Sequence, residues 1–194
     1  MVVLAGTLLL LPALILPLWT MTLYSNQFPD GLNLYIHASS LEGGHPEGRD
    51  DLKEINTLNH YIGMHPLQEA DFNEFKWIPL MLGIFFILGL RVTVLGKMSN
   101  LVDTAVLFGW FGVFSFWSFY SKLWLYGHTL DPTAPVKVSA FMPPMIGAKQ
   151  LANFRVYSYP GAASYFLAGF VVLLSVAIWL SRKTGEEPKL AKAG

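Results

Sequence analysis

Four apolar runs limit what this chain can become. Residues 3–24, 77–95, 101–126 and 161–181 each approach or exceed the roughly 20 apolar residues that cross the roughly 30 Å hydrocarbon layer of a bilayer. Hydrophobic residues make up 53% of the 194, charged residues 13%, and the mean hydropathy is +0.44, a membrane protein's profile. The fold class expected is therefore an all-α membrane protein. It has four transmembrane helices, two structured outer loops (25–76 and 127–160) and a cytoplasmic tail (182–194), all in one membrane domain over 1–194. The lipid bilayer is its first partner.

The first run holds Pro12 and Pro17 but has neither a basic leading segment nor a small-x-small cleavage site. It reads as a retained anchor, with a cleaved signal peptide as the alternative. Arg91, Lys97, Arg182, Lys183, Lys189 and Lys192 gather in 91–100 and 182–194, whereas most acids lie in the two long loops. The positive-inside rule then puts both termini in the cytoplasm and the loops outside. All five histidines fall on that outer side.

Zero cysteines exclude disulfides, CxxC redox chemistry, iron–sulfur ligation and covalent c-type haem on this chain. The net charge is zero, so nothing points to nucleic acid.

The densest polar stretch is Asp50 to Pro66. Asp50 or Asp51 caps a helix, and Leu52, Ile55, Leu58 and Ile62 recur at three- and four-residue steps as an apolar stripe. An amphipathic helix over 50–63, lying on the outer end of the bundle, is the consequence. His60 and Met64 share its other face, and Pro66 pushes His65 just past its end. Imidazole and thioether together suit copper, the thioether favouring Cu(I). A Met beside a His is also common by chance, and a His at a helix C-terminus helps simply by its interaction with the last carbonyls.

Leu32 to His37 alternates apolar with polar and predicts a short strand or strand pair in the first loop. The run 101–126 would make a helix of about 39 Å, so it tilts or its outer end emerges. Lys122 then snorkels outward, and Glu54, Glu69, Asp71 and Glu74 read as a solvated face. Gly127 stops this helix and sets His128 at the membrane exit, where Asp131 would fix its tautomer, or where the two merely shape a turn. Pro132, Pro135, Pro143 and Pro144 stiffen the second loop, which offers Met142 and Met145 as further thioethers.

The motifs EINTLNHYIGM, GHTLDPTAPVKV and FMPPMIGAKQLANF resemble a family of small bacterial inner-membrane proteins associated with the maturation of nitrous-oxide reductase, a periplasmic copper enzyme. The resemblance covers roughly 50–66 and 126–161. It implies copper handling or electron supply outside the inner membrane, in support of such an enzyme in denitrification. His60, Met64 and His128 would carry it, with His65 or Met145 as additions. Lacking cysteine, the chain departs from the cysteine-anchored lipoprotein copper chaperone of the same systems.

An accessory copper-binding protein is thus the first expectation. A b-haem or quinol-linked electron-transfer subunit is the alternative, and a structural subunit of a membrane complex is the third. Haem would need a His pair or His and Met at membrane depth, and only His128 stands near it. No Gly-x-Ser-x-Gly elbow, P-loop or His-Glu-x-x-His is present, which argues against an enzyme.

Overall fold

The computed structural model describes residues 1–151 and 154–190. Ala152 and Asn153, within the third motif, and residues 191–194 of the expected tail lie outside them. In chain order the elements are α1 (Val2–Leu8), β1 (Trp19–Tyr24), β2 (Leu32–Ile36), β3 (Leu41–Gly43), α2 (Asp51–Tyr61), α3 (Glu74–Leu95), α4 (Met98–His128), β4 (Gly147–Leu151), β5 (Phe154–Pro160) and α5 (Ala162–Leu190). Among the described residues three helices, not four, are long and apolar enough to cross a membrane: α3, α4 and α5 over Ala162–Lys183.

The expected all-α, four-span fold is therefore corrected to a mixed one, in which three long helices carry a five-stranded antiparallel sheet of order β3-β2-β1-β5-β4. The error lies in the first apolar run. Its helix stops at Leu8, a 3₁₀ turn follows at Pro12–Leu14, and the chain then becomes a strand. Pro12 and Pro17 lack the N–H that a continuing helix needs. Trp19-Thr20-Met21-Thr22-Leu23-Tyr24 then alternates β-branched or aromatic residues, with Trp19 and Met21 buried. Averaged hydropathy does not distinguish such a strand from a helix.

The strand misread as helix is the centre of the sheet. β1 pairs with β2 through Trp19↔Ile36 and with β5 through Trp19↔Pro160, so both long loops are sewn to it. The short strand expected at Leu32–His37 forms as β2, and its buried-intermediate alternation sets Leu32 and Leu34 against the core.

The capped helix also forms. Asp50 Oδ1 accepts from Leu52 N at 3.1 Å and Lys53 N at 3.3 Å. Ile55 is buried, while Leu52 and Leu58 pack beside it under the sheet. Asp51, a second candidate cap, turns inward instead. Its carboxylate is fully buried, accepting from Asn33 N at 2.8 Å and from Arg49 Nε at 2.7 Å, and so ties α2 to β2.

Two cores follow. One fills the helix bundle around Leu82, Phe85, Phe108, Phe170 and Leu174, with Leu10 and Ala13 from the N-terminal run. There α1 lies backbone-close to α3, because a Cβ at Gly89 would collide with Thr7. The other joins the sheet to the bundle through Trp19, Met21, Leu34, Ile55, Val156 and Leu123. At 31 residues, α4 is about 46 Å long, and its last turns leave the bundle to support the sheet. The tail, expected beyond 181, continues α5 as helix to Leu190.

Candidate functional site

Between sheet and bundle lies a cavity of about 1200 Å³. Its roof is the inner face of the sheet, with Trp19, Met21, Leu34 and Val156; one wall is α2, with Ile55 and Leu58, and Ile62 just past its end. Phe75, Trp77 and Ile78 of α3 and Phe111, Phe116 and Phe119 of α4 supply the floor and far wall. The rings of Phe108 and Phe170, 4.9 Å apart, mark where α4 meets α5. On the sheet side of that crossing Gly109, Gly112 and Phe116 of α4 and Ser164, Leu167 and Ala168 of α5 line the cavity. A Cβ added at Gly109 or Gly112 would meet nothing within 4 Å, so these glycines keep the space open.

A few polar groups interrupt this apolar lining. Glu74, in the first turn of α3, is only 16% exposed. Its Oε1 accepts from Ser118 Oγ at 2.5 Å, while its buried Oε2 has no hydrogen-bond partner among the described residues. Lys122 Nζ stands 4.0 Å from Oε2, donates to Asp71 O and lies 5.3 Å above the Phe72 ring. Ser118 and Lys122 are four apart and share one face of α4. Asn59 of α2 is 6% exposed, and its buried Nδ2 is also without a partner among the described residues. Glu74, Lys122 and Asn59 all line the cavity.

Glu74 and Lys122 thus correct the expectation of a solvated acid and an outward-reaching lysine. A carboxylate that opens an apolar helix and a lysine one turn beyond Ser118 were the available signals. Phe72 and Phe75 stack on each other at 5.2 Å, and Phe72 stacks on Tyr126 at 5.9 Å. Trp77 faces the cavity.

The five expected metal ligands fall into two groups. The imidazoles of His60, His65 and His128 are exposed. Met64 lines the cavity, and Met145 packs into the core beneath the sheet, where its carbonyl accepts from Ser158 Oγ. The backbones of the two histidine-bearing segments meet. Asp131 N donates to Gly63 O at 2.8 Å and Val136 N to Tyr61 O at 3.0 Å. Gly63 permits this with φ +77°, where a Cβ would lie 2.7 Å from Asp131 O.

Two of the rings have partners of their own. His128 Nδ1 is 2.8 Å from Trp124 O, and its ring stacks on that indole at 4.4 Å. Trp124 O thus takes the tautomer-fixing place expected of Asp131. His65 Nδ1 lies 3.5 Å from Asp71 Oδ2 and 3.0 Å from Pro66 O. Asp131 spends its carboxylate on Thr133, accepting from Thr133 N at 2.8 Å and Oγ1 at 2.6 Å; these bonds hold its pKa below the usual range. Among the described residues no three His, Asp or Glu side chains are gathered as a metal centre requires.

No protein-family model, curated protein or solved structure matches this chain.

Proposed function

We propose that this protein is a multi-pass membrane protein that holds a lipid-like amphiphile between its helices and its sheet. One observation carries the reading: a cavity with a polar pair at its sheet end and hydrocarbon walls that run down between α4 and α5. At about 1200 Å³ it exceeds the roughly 300–1000 Å³ of ordinary small-molecule sites. In a bilayer its lower walls meet acyl chains while Glu74 and Lys122 sit at headgroup level. A molecule with a polar head and a long apolar tail matches that gradient, and it enters sideways from the lipid. The basic residues at the α3–α4 turn and along the end of α5 favour a cytoplasmic placement for that end, and an outer face of the bacterial inner membrane for the sheet.

The test is native mass spectrometry of the full-length protein released from its membrane in mild detergent. A bound apolar small molecule is expected on the wild type. Gly112→Phe, which projects a ring into the cavity, should lower its occupancy with the thermal midpoint maintained. Equal occupancy in both proteins would remove the reading.

Copper at the outer face is a second reading, favoured by the backbone pairing of Tyr61 and Gly63 with Asp131 and Val136. This pairing holds the helix ends that carry His60 and His128 next to one another. A hydrogen bond from His128 Nδ1 to Trp124 O leaves Nε2 free to ligate. A copper site here would serve assembly or electron supply of a periplasmic copper enzyme such as nitrous-oxide reductase. Elemental analysis of protein from its native membrane decides it: His60→Ala should lower copper content, and unchanged content would end the reading.

A further inference from the structure

We propose that the occupant of the cavity is an acyl-chain lipid with an anionic head, which Lys149 and Lys137 attract at the sheet end. This rests on the cavity reading above and specifies the charge of its ligand.

The charges around the cavity come first. Among the described residues that line it, the carboxylate is Glu74 and the lysines are Lys122, Lys137 and Lys149. Glu74 and Lys122 stand 4.0 Å apart and balance each other. His37 also lines the cavity, but its Nε2 lies 3.2 Å from Glu42 Oε2, so a proton on that ring has its counter-ion outside the lining. Three lysines against one carboxylate leave an excess of two positive charges. A negative head completes them.

Placement follows from the strands. Lys149 of β4 is the cross-strand partner of Val156 of β5, and directly opposed residues share one face of a sheet. Val156 is buried in the cavity roof, so Lys149 is turned to the same side. Its Nζ donates to Met142 O at 2.9 Å, which leaves two of its three hydrogens for a ligand. That bond ties it to the proline-rich stretch before β4, which itself supplies Lys137, Ser139, Phe141 and Pro143 to the lining. Both lysines are exposed, so an anionic head reaches them without being stripped of water. An inward-turned lysine on an edge strand also deters pairing with another sheet. That role would explain Lys149 by itself but not Lys137, which lies outside any strand.

The head is therefore a carboxylate or a phosphodiester, each of which brings one negative charge and no positive one. A zwitterionic head carries a cation that the excess lysines repel. The tail follows the apolar wall past Phe116 and Gly112 into the opening between α4 and α5.

The experiment places the full chain in nanodiscs of dioleoyl-phosphatidylglycerol and dioleoyl-phosphatidylcholine in equal amounts, with oleate added in a second series. Native mass spectrometry identifies the lipid that stays on the protein once the bilayer is stripped away. Anionic lipid should exceed phosphatidylcholine by roughly fivefold or more, the preference expected of one lysine beside an anionic headgroup. Retained phosphatidylglycerol assigns the head as a lipid phosphate, and retained oleate assigns it as a carboxylate. Lys149→Gln with Lys137→Gln should bring the preference within about twofold of parity. Lys53→Gln, which removes an exposed lysine outside the lining, should leave it unchanged. Equal retention of anionic and zwitterionic lipid on the wild type, or a preference that survives the double substitution, would overturn the anionic head and leave the cavity reading standing. Retention of none of these lipids, or retention undiminished in Gly112→Phe, would overturn both.

Discussion

Trp19 and Ser158, 139 positions apart, are joined by a hydrogen bond of 2.8 Å from the indole Nε1 to the hydroxyl oxygen. Ser158 is fully buried, and its own hydroxyl donates to Met145 O at 2.9 Å. One side chain thereby links the central strand, its neighbour β5 and the proline-rich loop before β4. Trp19 also packs on Phe119 of α4, 5.1 Å between ring centroids, so the same indole anchors the sheet to the bundle.

Replacing Ser158 by Ala should therefore destabilise the protein by about 1–3 kcal/mol, the cost of leaving the indole N–H unmet in a buried site. Chemical denaturation followed by tryptophan fluorescence measures it. An unchanged midpoint would mean that the indole finds another acceptor.

Asp51→Ala should cost more, about 3 kcal/mol, since it strands the Arg49 guanidinium and frees the Asn33 N–H at once. Arg49 also donates to Gly31 O at 2.9 Å and lies 5.3 Å from the Phe28 ring, so the β1–β2 connection should loosen with it. Hydrogen exchange at Gly31–Asn33 is the readout, and protection equal to wild type would refute the link.

Much of this was legible in the chain. The cap at Asp50, the stripe of Leu52, Ile55 and Leu58, and the alternation of β2 are local patterns, and local patterns survive folding. The first run was misread because 3–24 is mostly apolar throughout, while its backbone leaves the helix at Leu8 and becomes a strand at Trp19. Pro12 and Pro17 and the alternation Trp19-Thr20-Met21-Thr22 mark that change, and the meaning of the alternation depends on partners at β2 and β5, the latter more than 130 residues away.

The site was less legible for a related reason. Ser118 and Lys122 are visible as neighbours on α4, but their meeting with Glu74 needs the packing of α3 on α4. Asn59 lies outside the apolar stripe of α2, and nothing local marks it as buried, yet it is 6% exposed and lines the cavity. The histidines were easier to find and less informative, since exposed imidazoles at helix ends serve several purposes.

Thr133 offers a pH test at the loop contact. Its hydroxyl and N–H hold the Asp131 carboxyl below the ordinary carboxylate value, so ionised Asp131 favours the folded loop above the unfolded pKa. That contribution is lost as pH falls through the depressed folded value. Thr133→Val, which removes the larger of the two bonds, should raise the Asp131 pKa toward the ordinary carboxylate value. Carbon-13 NMR of the labelled carboxyl follows it, and an unmoved titration would show that the backbone bond alone suffices.

Orientation can be tested cleanly because the chain has no cysteine, so a single introduced thiol is the only one to label. Arg91 and Lys97 flank the α3–α4 turn, and Arg182 and Lys183 stand on α5 at the same end of the bundle, opposite the sheet. The positive-inside rule expects basic residues so placed on the cytoplasmic side. Lys97 is exposed at the start of α4, and Glu42 is exposed on the edge strand β3. In intact cells opened only at the outer membrane, an impermeant maleimide should label Glu42→Cys and spare Lys97→Cys until the inner membrane is permeabilised. The reverse pattern would put the sheet in the cytoplasm. It would also move the cavity's polar pair to the inner headgroups and remove the proposed periplasmic setting for His60 and His128.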